Sequence, residues 1–149
     1  MAIRKIITSE NEILRKVSKP VKVFDENLID LIEDMNETLK KSGGVGLAAP
    51  QVAVLKRVVV IDLNGTHLEL VNPEIVKTEG IQCEAEGCLS IPGVYQKVKR
   101  PMTVTVKAYD RYGNKLVITG EDFLARCFCH ELDHLDGILF IDKAEKKVK

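Results

Sequence analysis

The segment Cys129–Gly137, which reads CHELDHLDG, constrains this chain more than any other stretch. If residues 121–135 form a helix, His130 and His134 lie four positions apart and project from the same face. Two imidazoles in that arrangement can bind one metal ion, and Glu131 lies beside them as a potential general base. The ordinary alternative is an amphipathic helix with two partly exposed histidines. The complete His-Glu-x-x-His pattern at helical spacing favours metal binding over that alternative.

The helical period sorts the side chains of this segment into three sectors. The sector that contains both histidines also contains Phe123 and Cys127. An adjoining apolar sector comprises Leu124, Phe128, Leu132 and Leu135. Glu131 lies at the boundary between the two, where a carboxylate is costly to bury unless it is paired, protonated or close to a cation. The third sector is predicted to face outward and comprises Asp122, Arg126, Cys129 and Asp133.

A catalytic metal site needs a third protein ligand and one open position. The next expected ligand position downstream holds Phe140, which cannot coordinate, and the only later glutamate is Glu145. The third ligand must therefore come from upstream, and Cys88 is the best candidate. Gly87 before it and Pro92–Gly93 after it predict that Cys88 lies on an irregular loop. A thiolate with two imidazoles leaves the fourth position to water, whereas the alternative is a buried structural thiol.

The remaining cysteines and the charge balance narrow the class of protein. Cys83 precedes the loop and Cys129 is predicted to face away from the histidines, so neither is expected to be a ligand. Residues 1–10 contain no apolar signal core and no apolar run reaches membrane length, which favours a cytoplasmic protein with reduced thiols. The chain has 22 basic and 22 acidic residues, which argues against a general binder of DNA or of membranes.

The small residues of Gly44–Gln51, which reads GVGLAAPQ, let a ligand or another backbone approach closely. The segment lacks the Lys-Ser/Thr ending of a phosphate-binding loop. A plain turn between a helix and a strand is the alternative interpretation. The uncharged donor side chain of Gln51, held beside a tight loop, suits a contact with an oxyanion.

The other patterns predict an α+β fold in a single domain that spans residues 1–149. Asp25 precedes apolar residues at helical spacing and Gly43 follows them, which predicts an N-terminal helix. Short, mostly antiparallel strands are expected to pack around a central metal-binding helix that opens at Glu121 and closes at Gly137. The predicted strands are 57–63, 67–71, 73–80, 94–99, 103–109, 115–119 and 138–141. His67 is expected to be a surface histidine on a strand, and the lysine-rich residues 143–149 are expected to fray.

Three segments together resemble the signature motifs of the peptide deformylases. They are residues 44–51 (GVGLAAPQ), 86–90 (EGCLS) and 130–137 (HELDHLDG), and their order and spacing match over nearly the whole chain. The resemblance implies an enzyme that removes the formyl group from N-formyl-methionyl nascent polypeptides in bacteria and releases formate. Many relatives have a longer C-terminal helix than this chain. Any transient contact with the ribosome made by that extension is therefore in doubt here.

The resemblance also implies a metal and the groups around it. Cys88, His130 and His134 would hold one divalent ion, typically Fe²⁺ in the cell, for which Zn²⁺, Ni²⁺ or Co²⁺ could substitute. A metal-bound water would attack the formyl carbon, and Glu131 would act first as general base and then as general acid.

The resemblance further implies how the substrate is held. Gln51 and the backbone N–H of Leu89 would form the oxyanion site, and Gly46 would help to bind the substrate backbone. Candidates for an apolar pocket that receives the methionine side chain are Val45, Phe123 and Cys127. Glu86 and Arg100 are expected to pair and to hold the segment around Cys88.

One position departs from the family pattern, and two other classes of protein stay open. Cys129 stands where glutamine is common, and we expect little effect because it is predicted to face outward. A general metallopeptidase would share the helix but lacks a downstream ligand. A metal-stabilised binding domain would need a closed fourth coordination position, and Glu131 would then have no purpose.

Overall fold

The computed structural model describes residues 2–144. This part of the chain contains two α-helices and seven strands. The helices are α1 (Glu26–Ser42) and α2 (Phe123–Leu135). The strands are β1 (Gly46–Ala48), β2 (Val58–Leu63), β3 (Thr66–Glu79), β4 (Gln82–Cys88), β5 (Ile91–Arg100), β6 (Thr103–Tyr109) and β7 (Lys115–Glu121). Short 3₁₀ helices span Glu12–Arg15, Ala49–Val52 and Phe140–Asp142. The predicted α+β class is confirmed. No helix within residues 2–144 combines the length and the apolar character needed to cross a bilayer.

The strands form a five-stranded sheet in the order β1-β2-β3-β6-β7 and a separate β4–β5 hairpin, with every pairing antiparallel. The side chains of β2 point alternately to the two faces of the larger sheet. Each of these faces is covered by one helix. Val59 and Ile61 lie in one buried cluster with Phe128 of α2. Val58 and Val60 lie in another with the apolar face of α1. The histidine-bearing helix therefore packs on the sheet as the central element that the sequence predicts.

The first helix forms where the sequence predicts it, and its ends explain why. The carboxylate of Asp25 accepts a hydrogen bond from the N–H of Leu28 at 3.1 Å. Gly43 terminates the helix with a φ of 75°, a conformation that favours glycine.

The predicted strands 67–71 and 73–80 are one strand, β3, with an irregularity in the middle. Asn72 has a φ of 51°, and the register with β6 shifts between Val71 and Glu74. The side chain of Asn72 stabilises this bulge because it exchanges two hydrogen bonds with the backbone of Val21, at 2.8 and 2.9 Å. Pro73 cannot donate to the ladder, which fits an irregular position. His67 lies on β3 with an exposed side chain, as predicted.

Two predictions near the C-terminus are wrong. The histidine-bearing helix begins at Phe123 rather than at Glu121, which is the last residue of β7. Residues 138–141 do not form a strand, because the carboxylate of Asp142 accepts the N–H of Leu139 at 3.0 Å and closes a 3₁₀ turn. Glu145 and most of the basic segment 143–149 lie outside the described residues.

The predicted outward face of α2 is also wrong. Cys129 is 6% exposed and Arg126 is 3% exposed. The helix is enclosed because the five-stranded sheet packs on one side and the β4–β5 hairpin contacts another. Helical spacing identifies which residues share a face, but it cannot show that the opposite face is also covered.

Candidate metal centre and its cleft

The three expected metal ligands come together at the interface of α2 and β4. The donor atoms of Cys88, His130 and His134 all lie within 4.8 Å of one another. Cys88 Sγ is 3.3 Å from His134 Nε2. Sulfur and nitrogen ligands about 2.3 and about 2.1 Å from one tetrahedral ion lie roughly 3.5 Å apart, so the spacing suits a shared ion. The donor set could hold one divalent ion and leave a fourth position open.

Cys88 does not lie on an irregular loop, contrary to the prediction. It is the last residue of β4 and pairs with Ile91, the first residue of β5, across a two-residue turn. Pro92 and Gly93 belong to β5. The register is irregular between Glu86 and Cys88, and a bulge of this kind re-aims the side chain next to it. The ligand therefore comes from a hairpin end rather than from a loop.

Glu86 holds the imidazole of His130. His130 Nδ1 donates to Glu86 Oε1 at 2.8 Å, which leaves His130 Nε2 for the metal position. Arg100 forms a bidentate pair with the same carboxylate, at 2.9 and 3.0 Å, so the predicted pair is confirmed. Burial alone would raise the pKa of Glu86, but hydrogen bonds from His130 and Arg100 lower it to about 2. Glu86 is therefore a carboxylate acceptor at any physiological pH.

The two histidines differ in their affinity for protons. Burial lowers the pKa of His134 to about 3, with further contributions from His130 and Arg100, so its imidazole is neutral. Burial also favours the neutral form of His130, but hydrogen bonds to Cys88 and Glu86 outweigh it and raise the pKa to about 10. A cation that binds His130 would therefore displace a proton.

Glu131 lies deep in the site, and its pKa lies near neutral pH. Burial raises its pKa to about 7. Its Oε1 atom is buried and has no hydrogen-bond partner among residues 2–144. Its Oε2 atom lies against Gly46, where an added Cβ would be only 2.6 Å away. A carboxyl with this pKa can accept and return a proton at neutral pH.

Gln51 and Leu89 present two donors beside Cys88. Gln51 Oε1 accepts the N–H of Ala48 at 2.9 Å, which orients the amide. Gln51 Nε2 then lies 3.2 Å from Ser90 Oγ and 3.7 Å from Cys88 Sγ. Within the described part of the chain, the backbone N–H of Leu89 makes no hydrogen bond. Ser90 lies in the motif segment 86–90, but its contact with Gln51 was not predicted, because no local pattern links residues 39 positions apart.

The three expected pocket residues lie together in one cleft of about 700 Å³, next to Glu131. Phe123 is half exposed at its rim, Val45 is partly buried, and Cys127 is buried. Burial raises the pKa of Cys127 to about 12, so it is a neutral thiol. These side chains give the cleft an apolar wall beside the metal position. The exposed ring of Tyr95 also borders the cleft, and the alternating pattern of its strand did not single it out.

Comparison with known proteins gives consistent matches along nearly the whole chain. The family described as polypeptide deformylase matches residues 3–149. Peptide deformylase from Caldicellulosiruptor bescii is 57% identical over 143 residues, which cover 96% of this chain and 86% of the relative. Peptide deformylase 2 from Clostridium acetobutylicum is 54% identical over 150 residues and both chains are covered completely. The crystal structure of a peptide deformylase from Legionella pneumophila superposes with a TM-score of 0.94 at 51% identity, covering 97% of this chain and 87% of that one.

Proposed function

The chain belongs to the polypeptide deformylase family and is an enzyme, and from that premise we propose the reaction it performs. It hydrolyses the N-formyl group of formyl-methionine on newly synthesised polypeptides in the cytoplasm and releases formate. The observation that carries the proposal is the convergence of Cys88, His130 and His134 beside the buried carboxyl of Glu131.

The three converging side chains would hold one divalent ion. A thiolate with two imidazoles suits several first-row metals, and we propose Fe²⁺ in the cell, with Zn²⁺, Ni²⁺ or Co²⁺ as substitutes. The bound ion would polarise the formyl carbonyl and lower the pKa of a water molecule in the open position. Glu86 keeps His130 oriented for this role through the 2.8 Å hydrogen bond to Nδ1.

Glu131 would move the proton. Its carboxylate takes a proton from the attacking water, and the resulting carboxyl delivers that proton to the amine that leaves. A pKa of about 7 suits both halves of this task, because the group must exchange its proton readily at neutral pH. The missing side chain at Gly46 supports the proposal, since it provides the space in which the carboxylate lies.

Gln51 and Leu89 would stabilise the negative charge that develops on the formyl oxygen. Gln51 Nε2 lies 3.7 Å from Cys88 Sγ, and Leu89 follows Cys88 directly in the chain, so both groups would donate to that oxygen. The contacts of Gln51 with Ala48 and Ser90 hold its amide in place before the substrate arrives. Such preorganisation lowers the cost of binding the charge as it forms.

The substrate would bind as an extended peptide. β1 is an edge strand that pairs only with β2 in the described sheet, and its first residue, Gly46, lines the cleft. A peptide could add to this edge through backbone hydrogen bonds. The methionine side chain would then enter the apolar part of the cleft, against Val45, Phe123 and Cys127.

The proposal is tested by formate release from formyl-Met-Ala, with protein purified without oxygen and its metal content read on the same sample. We expect formate and about one metal ion per chain, and no reaction with acetyl-Met-Ala. Glu131→Ala should reduce turnover at least about 100-fold and leave the metal bound, because the residue acts on protons. A filled site without formate release would contradict the proposal, and cleavage of internal peptide bonds instead would favour a metallopeptidase.

A further inference from the structure

Arg126 is a buried cation that the proposed mechanism does not use. It lies on α2 one helical turn before His130, and its side chain is only 4% exposed. Its Nη1 donates to Glu86 Oε2 and to the carbonyl of Val98 at 3.1 Å, and its Nη2 donates to Gln82 Oε1 at 3.3 Å. These donors are taken up by β4 and β5, although Arg126 also lines the cleft. A buried arginine is costly unless specific partners satisfy it.

The partner of Arg126 that reaches the metal site is Glu86. Glu86 Oε1 accepts from His130 Nδ1 and from Arg100 Nη2, and Glu86 Oε2 accepts from Arg100 Nε and from Arg126. Arg100 is itself paired with Asp133 Oδ2 at 2.7 Å. Arg126 is therefore a second cation on Glu86 beside the bidentate Arg100, and it donates to the oxygen opposite the one that holds His130.

We propose that Arg126 is a positioning residue for the metal site. Together with Arg100 Nε it anchors Glu86 Oε2, so that Oε1 faces His130 Nδ1 and His130 Nε2 is left for the ion. The inference rests on the proposed function, because it assumes that His130 binds a metal. Changing a group that orients a histidine ligand typically weakens metal affinity by about 10- to 100-fold. Without Arg126, Glu86 keeps Arg100 but loses one of its two charged partners at Oε2, and its carboxylate holds His130 less rigidly.

Arg126 also joins α2 to the β4–β5 hairpin through its bonds to Val98 and Gln82. A matched control variant is therefore needed to separate a loss of stability from a loss of positioning. Arg57 provides that control because it anchors the other end of the same helix. Its Nη1 donates to the carbonyl of Leu135 at 3.0 Å, and its Nη2 pairs with Asp136 at 3.0 Å. Among the described residues, the Arg57 side chain bonds to no side chain that contacts a proposed ligand.

The experiment measures the affinity for Co²⁺ by competition with a chromophoric chelator, together with thermal unfolding of the metal-free proteins. Arg126→Met should weaken Co²⁺ binding by about 10-fold or more, and Arg126→Lys should recover most of the loss. Arg57→Met should lower the unfolding temperature and leave the Co²⁺ affinity unchanged. In a Glu86→Gln background, Arg126→Met should weaken Co²⁺ binding no further, because its effect passes through Glu86.

Each other outcome decides against the inference. Wild-type affinity in Arg126→Met, or an equal loss of affinity in Arg57→Met, would overturn the positioning role while leaving the metal site in place. Absence of Co²⁺ binding by the wild-type protein would overturn the metal site itself and this inference with it. If Arg126→Met does not fold, Arg126→Gln, which retains an amide donor, is measured in its place against the same criteria.

Discussion

Single residues hold the polar groups of the site in place. Gln51 is oriented by the N–H of Ala48, and His130 is oriented by Glu86. Glu131 differs from both, because its buried Oε1 has no hydrogen-bond partner within residues 2–144. Its position depends instead on the space left by Gly46. The glycine is therefore as important for the geometry of the carboxylate as a hydrogen-bond partner would be.

Gly46→Ala should impair turnover without removing the metal. The new Cβ would lie 2.6 Å from Glu131 Oε2, so the carboxylate must move. A displacement of this size can lower kcat/KM by about 10- to 100-fold. Formate release and metal content, measured on the same sample, check the prediction. Wild-type kcat/KM in this variant would show that the carboxylate does not need its present position, and loss of metal would point to a wider disturbance.

Each helix is followed within two residues by a glycine with positive φ, but the two glycines have different surroundings. Gly43, after α1, has a φ of 75°, and a Cβ there would meet nothing within 4 Å. Gly137, two residues after α2, has a φ of 74°, and a Cβ there would lie 2.5 Å from the carbonyl oxygen of Arg15. The N-terminal segment thus packs directly against the end of the histidine-bearing helix.

Alanine substitutions at these two glycines separate backbone strain from close packing. Gly43→Ala should lower the free energy of unfolding by about 1 kcal/mol, since only the left-handed conformation is strained. Gly137→Ala should lower it by at least about 2 kcal/mol, because the backbone of Arg15 must also shift. Urea unfolding of both variants checks this. Equal losses would mean that the contact with Arg15 relaxes at little cost.

At the scale of the whole molecule, Glu69 connects elements that are distant in the sequence. Its carboxylate on β3 accepts from Arg111, in the turn between β6 and β7, at 2.8 Å through each oxygen. Asn36 of α1 donates to it at 2.8 Å, and Arg111 also pairs with Glu33 of α1. Burial alone would raise the pKa of Glu69, but hydrogen bonds from Arg111, Asn36 and His67 lower it to about 2.

The low pKa of Glu69 predicts how stability depends on pH. A carboxyl whose pKa falls on folding stabilises the protein fully above its ordinary value of 4.5, and that stabilisation is lost as the pH falls toward 2. Glu69→Gln should therefore reduce the free energy of unfolding by on the order of 2 kcal/mol at pH 7. The difference from the wild type should shrink steadily between pH 4.5 and the folded pKa of about 2. Urea unfolding at pH 7, 4 and 3 measures it.

Glu74→Gln is the matched control on the same strand. The side chain of Glu74 is 64% exposed, and the Lys107 Nζ that pairs with it lies 4.0 Å away. Exposed pairs of this kind contribute about 0–1 kcal/mol, so this variant should change the stability little. If the free energies of unfolding of Glu69→Gln and the wild type differed by the same amount at every pH, the low pKa of Glu69 would not be the source of the stabilisation.

Features that depend on near neighbours along the chain were predicted correctly from local sequence patterns. Helical spacing predicted that His130 and His134 share a face, and the cap at Asp25 and the glycine at 43 predicted both ends of α1. These features follow from backbone geometry within one or two turns, which local residues control. The three motif segments also predicted the family, because their order and spacing are specific.

Contacts between residues that are distant in the sequence became visible only in the folded protein. Cys88 and His134 are 46 positions apart, and only folding shows that their donor atoms lie 3.3 Å from each other. Arg126 and Cys129 were predicted to face outward, yet they are buried because α2 is covered on more than one side. Burial and long-range contacts depend on how whole helices and strands pack against each other. The spacing of apolar residues along one helix or strand does not predict that packing.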